Sequence, residues 1–429
     1  MGEGDNIKHL KEIAKMIKGL ETKIVQNGGN IYLVGGSIRD IIMEDKGILS
    51  AESKPKDYDF CITGLYQNDF ERIFPDSRIQ GKDFPVFVLK EIPNCEFSLA
   101  RKERKVGEGH RGFEIMASPE VSIEDDLIRR DLTINSMAYN FSTQKIIDPF
   151  GGVEDIERKI LRAVSPAFRE DPLRVYRVAQ FSARYGFQVE PNTIRMMKEL
   201  KGELGTISPE RVFVEMRKAL RTSQPARFFE VLSQAEVLDI HFLEIARLIG
   251  VQQPIQYHPE GDAFEHTMIV LDKVADETDR EEVRFAALVH DVGKGSTDQS
   301  LWPRHIGHDK AGAALVAEMA RRLKIPRSWE NAGKVSASEH MRAGRFDDMN
   351  PGKKVALLEK IARTKLGLKG LEIITCADGN NARFAKLGEK MLEEVNGDAL
   401  GVQQGKEAAQ KIHEVRVKWM REQSKVKSL

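Results

Sequence analysis

At 429 residues the chain has room for about two to four domains of ~150 residues, each able to bury its own core. Lys plus Arg and Asp plus Glu stand at 66 each, so no global excess of charge points to nucleic acid or membrane, and charge must act locally. Cys61, Cys95 and Cys376 are too far apart for a disulfide framework or a C-x-x-C metal knuckle. With a charged N-terminus and no run of 18 apolar residues, the expectation is a protein of the reducing cytosol, with no membrane span.

Ile7, Leu10, Ile13, Ala14, Ile17 and Leu20 recur at helical spacing, and "NGGN" at 27–30 stops that helix. "IYLV" reads as a buried strand entering Gly35-Gly36, and "SIRDIIM" as the start of a helix. "DYDFCIT", "FPVFVLKEI" and "CEFSLA" are further strands, so residues 25 to about 100 read as mixed α/β. From about 155 the strand signals fade. "DPLRVYRVAQFSARYGF", "PNTIRMMKEL", "SPERVFVEMRKAL" and "PARFFEVLSQAEVL" read as successive helices, each begun near a Pro or Ser. "QQPIQYHPEGDAF" at 252–264 is the best linker candidate by composition.

The glycine pair followed by "DYD" carries the first chemistry. Alternation along a strand puts Asp57 and Asp59 on one side, close enough to share divalent cations such as Mg2+ in phosphoryl or nucleotidyl transfer. Gly36, at a helix N-terminus, lets backbone N–H groups approach phosphate oxygens, and Arg39 follows one turn on. Either half alone also suits an ordinary turn and an acidic exposed strand. In "EDDLIRRDLTINSMAYN", Arg130, Asp131 and Asn135 suit a triphosphate and ribose clamp, or else the solvated face of a helix. Asp171, Arg174 and Arg177 follow at steps of three on one side of a helix. An Asp/Arg pair can read the amine and adjacent ring nitrogen that cytosine and adenine share; the plainer alternative is a surface ion pair.

These stretches, with "LARKERKVGEGHRGF", "IIDPFGG" and "SPAFREDPLRVYRVAQFSARYGF", resemble the bacterial class II tRNA nucleotidyltransferases, the CCA-adding enzymes, and their poly(A) polymerase relatives, over residues 31 to about 370. The resemblance implies an α+β fold with a small polymerase-β-like head on a mixed sheet, an all-helical neck and body, and template-free addition of C, C and A to tRNA from CTP and ATP. By motif it makes Asp57 and Asp59 the Mg2+ carboxylates and Glu96 a third. Gly36, Arg39, Arg130, Asp131, Asn135 and Arg177 become nucleotide-binding, and Asp171 and Arg174 read the base. Gln180 stands where the family has Arg, leaving that contact weakened or supplied by a residue such as Arg184. The link "MEDKGILSAESKP" is longer than in relatives. Residues 101–118, with five Lys/Arg and three Gly, match the family's flexible loop that helps the switch from C to A.

Most of the ten histidines fall within 258–340. His266, with His290-Asp291 at a helix end, offers the mixed nitrogen and oxygen donors suited to Ni2+, Mn2+, Co2+ or Fe2+, and His305, His308 and His340 can add a second metal or a phosphate site. The pattern is similar to HD-superfamily phosphohydrolases, which certain bacterial CCA-adding enzymes carry after the body. That likeness makes Asp378 a candidate closing ligand and implies phosphatase, 2′-nucleotidase and 2′,3′-cyclic phosphodiesterase activities. The expected layout is a head at 1–155, a neck and body at 156–255, an HD domain at 256–380 and a helical tail at 381–429, in a monomer or homodimer. Two readings compete: an A-adding enzyme or poly(A) polymerase, and an HD phosphohydrolase whose head only binds RNA.

Overall fold

The computed structural model describes residues 8–49, 57–80, 85–105, 113–401 and 405–426. Residues 50–56 of the long link and 106–112 of the basic loop lie outside them. The chain divides into two compact units, Met1–Ser182 with Gly186–Thr206, and Ala183–Tyr185 with Ile207–Leu429.

In the first unit α1 (Lys8–Gln26) buries Leu10, Ile13, Ile17, Leu20 and Ile24, the stripe expected from their spacing. It leads into β1 (Asn30–Val34), α2 (Gly36–Asp45), β2 (Tyr58–Thr63), α3 (Gln67–Ile73), β3 (Arg78–Gln80), β4 (Val86–Val88) and β5 (Cys95–Leu99). With β8 (Ala138–Asn140) and β9 (Lys145–Ile147), these strands form a seven-stranded mixed sheet in the order β3-β4-β5-β2-β1-β8-β9. Only β2 and β5 run parallel in it; its other pairs are antiparallel. Tyr32, Val34, Cys61 and Ala138 pack one face with Ile123 and Leu127 of α4 (Ile123–Leu127). An aromatic group of Phe60, Phe70, Phe87 and Phe97 fills another part of the core, with Phe60 and Phe97 stacked at 5.0 Å. β6 (Arg101–Lys105) and β7 (Phe113–Ala117) form a separate antiparallel pair. After α5 (Gly152–Arg158) the unit turns helical, with α6 (Leu173–Tyr185) and α7 (Pro191–Glu199), and the only later strands among the described residues are a two-residue parallel pair, β10 (Ile160–Leu161) and β11 (Gln188–Val189).

The second unit is helical. α8 (Pro209–Leu220), α9 (Ala226–Gln234), α10 (Leu238–His241) and α11 (Leu243–Ala246) precede α12 (Ala263–Glu277) and α13 (Glu281–Leu288). There follow α14 (His308–Arg322), α15 (Arg327–Gly344), α16 (Pro351–Ala362), α17 (Gly367–Ala377), α18 (Ala385–Glu394) and α19 (Lys406–Val426). Arg284, only 2% exposed, ties the ends of α8 and α12 to α13 by donating to the carbonyls of Leu220, Thr222, Ala275 and Thr278. A planar five-donor group suits that task, since it satisfies carbonyls left over at helix C-termini. The stretch 252–264 is no linker. Gln252 bridges Asp262, and Asp262 caps α12 through the N–H groups of Phe264 and Glu265, so its polar and turn-forming residues build a closed loop inside the unit. None of the helices among the described residues is long and apolar enough to cross a membrane.

Candidate active sites

In the first unit the register does the placing. β1 sets Val34 opposite Asp59, and β5 sets Glu96 beside Asp59, so these two carboxylates stand exposed side by side near the start of β2, with exposed Asp57 just ahead of the strand. The next residue, Gly35, takes φ 72°, and a Cβ there would lie 3.3 Å from both Asp59 Oδ2 and Arg130 Nη1. Glycine therefore keeps open the space between carboxylate and guanidinium. Partial desolvation, reinforced by Asp57, raises the Asp59 carboxyl against the pull of Arg130. Desolvation, then Asp59 and Asp57, raises Glu96.

The clamp residues form two ionic networks. Asp126 is 1% exposed and accepts from Arg129 Nη2 at 2.7 Å and Arg130 Nη2 at 3.0 Å. Burial alone raises its carboxyl, yet the two guanidinium charges hold it below the usual range. Asp131 accepts from Asn135 Nδ2 at 2.9 Å and Arg177 Nε at 2.6 Å, while Asn135 Oδ1 accepts from Arg39 Nη1 at 2.5 Å. Phe181 lies 5.1 Å from Arg39 and 5.4 Å from Arg177, a cation–π partner to both. Four predicted nucleotide-binding residues thus join in one chain, and Gly36 begins α2 beside it. Arg174 donates to the carbonyls of Ala167 and Arg129, which fix the plane of its guanidinium, and Asp171 Oδ1 accepts from Leu173 N at 3.0 Å. Gln180 is buried on α6.

In the second unit Gly293 permits the central approach. A Cβ there would fall 1.9 Å from the carbonyl oxygen of His308, so only glycine lets the turn after His290-Asp291 meet the start of α14. His266, His290, Asp291 and Asp378 offer donor atoms all within 4.8 Å of one another, and Asp291, His308 and His340 form an adjoining group. His266 Nε2 lies 2.9 Å from Asp378 Oδ1, and Asp291 Oδ1 lies 3.5 Å from His308 Nε2 and 3.3 Å from His340 Nε2. The Nδ1 atoms of His290, His308 and His340 face the carbonyls of Ala287, His305 and Ser336, an arrangement that leaves a lone pair on each Nε2. Those three Nε2 atoms and Asp291 Oδ1 are buried without a hydrogen bond. Four orphaned acceptors converging on one space fit divalent cations, because leaving them unpaired is costly otherwise. Burial lowers the His290 imidazolium, but with no cation between the three groups Asp291 and Asp378 overcome it and push it up to about 10, so its Nε2 gives up a proton when it becomes a ligand. Lys294 and His290 hold Asp291 well below the carboxylate range against burial.

His305 departs from expectation. Its Nε2 lies 2.8 Å from the Gln252 carbonyl and its Nδ1 2.8 Å from Thr297 Oγ1, so both nitrogens are engaged away from the donor groups, and the residue ties two loops together. Sequence reasoning also missed several residues. His258 and Glu260 form a third donor group with His266, whose Nδ1 lies 2.5 Å from Glu260 Oε1 and 3.3 Å from His258 Nδ1. Lys294, 6% exposed, donates to Asp291 Oδ2 and to Gln253 Oε1, each at 2.5 Å. Asp126 was visible only as a charge three and four residues before two arginines.

Three family models match parts of the chain. The poly A polymerase head domain matches residues 31–162, a probable RNA- and SrmB-binding site of polymerase A matches 186–249, and the HD domain matches 241–363. A multifunctional CCA protein of Nitrosococcus oceani is 42% identical over 334 residues, covering 77% of this chain and 79% of that relative. One from Nitrosomonas eutropha is 43% identical over 323 residues, covering 75% and 76%. The fold is similar to that of the Bacillus stearothermophilus CCA-adding enzyme in complex with CTP, with a TM-score of 0.62 at 20% identity over 97% of this chain and 98% of that one. With this much shared sequence joining a polymerase-type head to a histidine-rich HD domain, the chain belongs to the multifunctional CCA protein family.

Proposed function

We propose that this chain adds C, C and A to tRNA 3′ ends from CTP and ATP in the cytoplasm, and that its HD domain hydrolyses phosphate esters at damaged ends. The observation that carries the first activity is the register setting Asp59 beside Glu96, next to Gly35 and Arg130. Asp57, Asp59 and Glu96 would hold Mg2+, which when bound would supply positive charge to the triphosphate and to the attacking hydroxyl oxygen. Gly36, Arg39, Arg130 and Arg177 receive the phosphates, with Asp131 and Asn135 at the sugar. Asp171 and Arg174 read the base. The tRNA hydroxyl oxygen attacks the α-phosphorus, the bond to the bridging oxygen breaks, pyrophosphate leaves, and the hydroxyl proton passes to water.

His266, His290, Asp291 and Asp378, with His308 and His340 on the other side of Asp291, hold a transition metal such as Ni2+ or Mn2+. When bound, it supplies a nucleophilic water at neutral pH. Lys294, steadied by Gln253, presents a cation to the phosphate. A water oxygen bonds to phosphorus, the bond to the ester oxygen breaks and a proton from that water ends on the departing oxygen, which covers phosphatase, 2′-nucleotidase and 2′,3′-cyclic phosphodiesterase chemistry. The test is to incubate the protein with tRNA lacking its 3′ CCA, giving CTP alone, ATP alone and both, and to sequence the products. One full CCA is expected with both; incorporation of A alone, or of long A tails, makes it an A-adding enzyme or poly(A) polymerase, and no incorporation ends the first reading.

A further inference from the structure

Ile255 and Tyr257 are 75% and 72% exposed, and Ile306 is 69% exposed; no large apolar side chain among the described residues is more open to water. All three sit within three residues of a donor: Tyr257 precedes His258, and Ile306 lies two residues before His308. Their exposure does not come from loose chain. Tyr257 N and His258 N both donate to the Pro254 carbonyl, Gly261 N donates to the His258 carbonyl, and Gln253 N donates to the Gly261 carbonyl. His305, through Gln252, fastens the loop of Ile306 to the loop of Tyr257. Exposed apolar side chains on tied loops that also carry His258 and lead into His308 suit a ligand that is flat and apolar at one end and anionic at the other. Arg304, exposed on the same loop as Ile306, adds a cation for a further phosphate.

We propose that Tyr257, Ile255 and Ile306 form a stacking platform for the 3′-terminal nucleobase of a single-stranded RNA whose phosphorylated ribose lies at the HD donors. This rests on the HD reading above and adds to it how the RNA end is gripped. Every base has a π face, so the platform accepts any last nucleotide, as a site that trims ends of varied sequence requires. Arg304 meets the backbone phosphate that a strand has and a free cyclic nucleotide lacks.

The test compares the full-length, metal-loaded protein with Tyr257→Ala and Tyr257→Phe on three substrates: a short RNA ending in a 2′,3′-cyclic phosphate, 2′,3′-cyclic CMP, and glycerol 1,2-cyclic phosphate, which has no base. Stacking contributes about 1–3 kcal/mol per base, so Tyr257→Ala is expected to raise KM for the RNA roughly tenfold. It leaves glycerol cyclic phosphate turnover and nucleotide addition unchanged, while Tyr257→Phe behaves as wild type. Equal KM for the RNA in wild type and Tyr257→Ala overturns the platform. An effect confined to cyclic CMP overturns the RNA occupant. A wild-type protein that hydrolyses none of the three, glycerol cyclic phosphate included, instead removes the HD reading itself and the platform with it.

Discussion

In the head, Asp59 and Glu96 stand exposed side by side on adjacent strands with exposed Asp57 just ahead of them, and the neighbouring guanidinium groups are bound to Asp126 and Asp131. In the second unit most of the donors are buried, each group is gathered within 4.8 Å, and three imidazoles turn unbonded nitrogens towards Asp291, those of His308 and His340 to Oδ1 and that of His290 to Oδ2. The head's three carboxylates are not among the groups gathered that closely in the described residues. The difference follows from what each site must release. On the proposed reading a nucleotide and its metal come and go with every addition, so an open carboxylate row beside paired arginines costs little to refill. On the same reading a resident metal is kept by donors that include four buried atoms with no hydrogen bond, the Nε2 atoms of His290, His308 and His340 and Asp291 Oδ1.

The most direct way to break this comparison is to remove one carboxylate from each site. Asp59→Ala is expected to cut nucleotide addition by about 10³-fold or more, several kcal/mol of lost charge stabilisation, and to leave phosphate-ester hydrolysis intact. Asp291→Ala does the reverse. Incorporation of labelled CTP and release of inorganic phosphate, measured on the same folded preparations, check both; loss of both activities in either variant defeats the separation of sites.

A smaller effect sharpens the picture of the metal centre. His290, His308 and His340 face backbone carbonyls with Nδ1, whereas His266 faces the Glu260 carboxylate. Carboxylate partners make an imidazole a stronger ligand, and their loss weakens metal binding by roughly 10–100-fold. Glu260→Ala is therefore expected to weaken binding in that range by titration calorimetry, with Glu260→Gln recovering part of it and nucleotide addition untouched.

The head offers a matching test at about tenfold. Asp126 holds Arg130 beside Gly35 and Asp59, and a charged hydrogen bond of this kind contributes roughly 1.5–3 kcal/mol. Asp126→Ala is expected to raise KM for CTP and ATP about tenfold with a smaller change in kcat, because Arg130 keeps its charge and loses its tether. Unchanged KM makes Asp126 a stability residue only.

Asp57 and Asp59 were legible together because a period of two settles which residues of an extended chain share a side, Glu96 only through the family resemblance, and the helices after 155 because apolar residues repeat every three to four positions. Asp126 was overlooked although its spacing to Arg129 and Arg130 was in view, since such a triplet reads as a solvated helix face until burial is known. His258, Glu260 and Lys294 lie on turns, where no periodicity fixes direction, and they meet His266 and Asp291 only because the Gln252–Asp262 bridge and Gly293 bring the turns in. His305 misled for the same reason: a histidine near two others satisfied the pattern, but its nitrogens faced a carbonyl and a hydroxyl. Composition also made 252–264 look like a linker, whereas its Pro, Gly and Asp residues are those a tight closed loop needs.

The smallest effect concerns α12 away from its metal-facing end. Burial, with Glu230 and Asp276 nearby, pushes the Asp272 carboxyl up to about 6, although the Ala226 N–H bonded to it at 3.0 Å works the other way. A carboxyl raised on folding binds its proton more tightly in the native state, so its contribution is fully present below about pH 4, the unfolded value, and is lost as pH climbs through about 6. Asp272→Asn keeps an oxygen for the Ala226 N–H and removes the charge. It is expected to match wild type near pH 4 and to exceed it above pH 7 by about 1 kcal/mol after allowing for solvent screening, ~2–4 °C in Tm. Melting curves at the two pH values measure it. A gain that is the same at both ends places the effect in packing rather than in the proton.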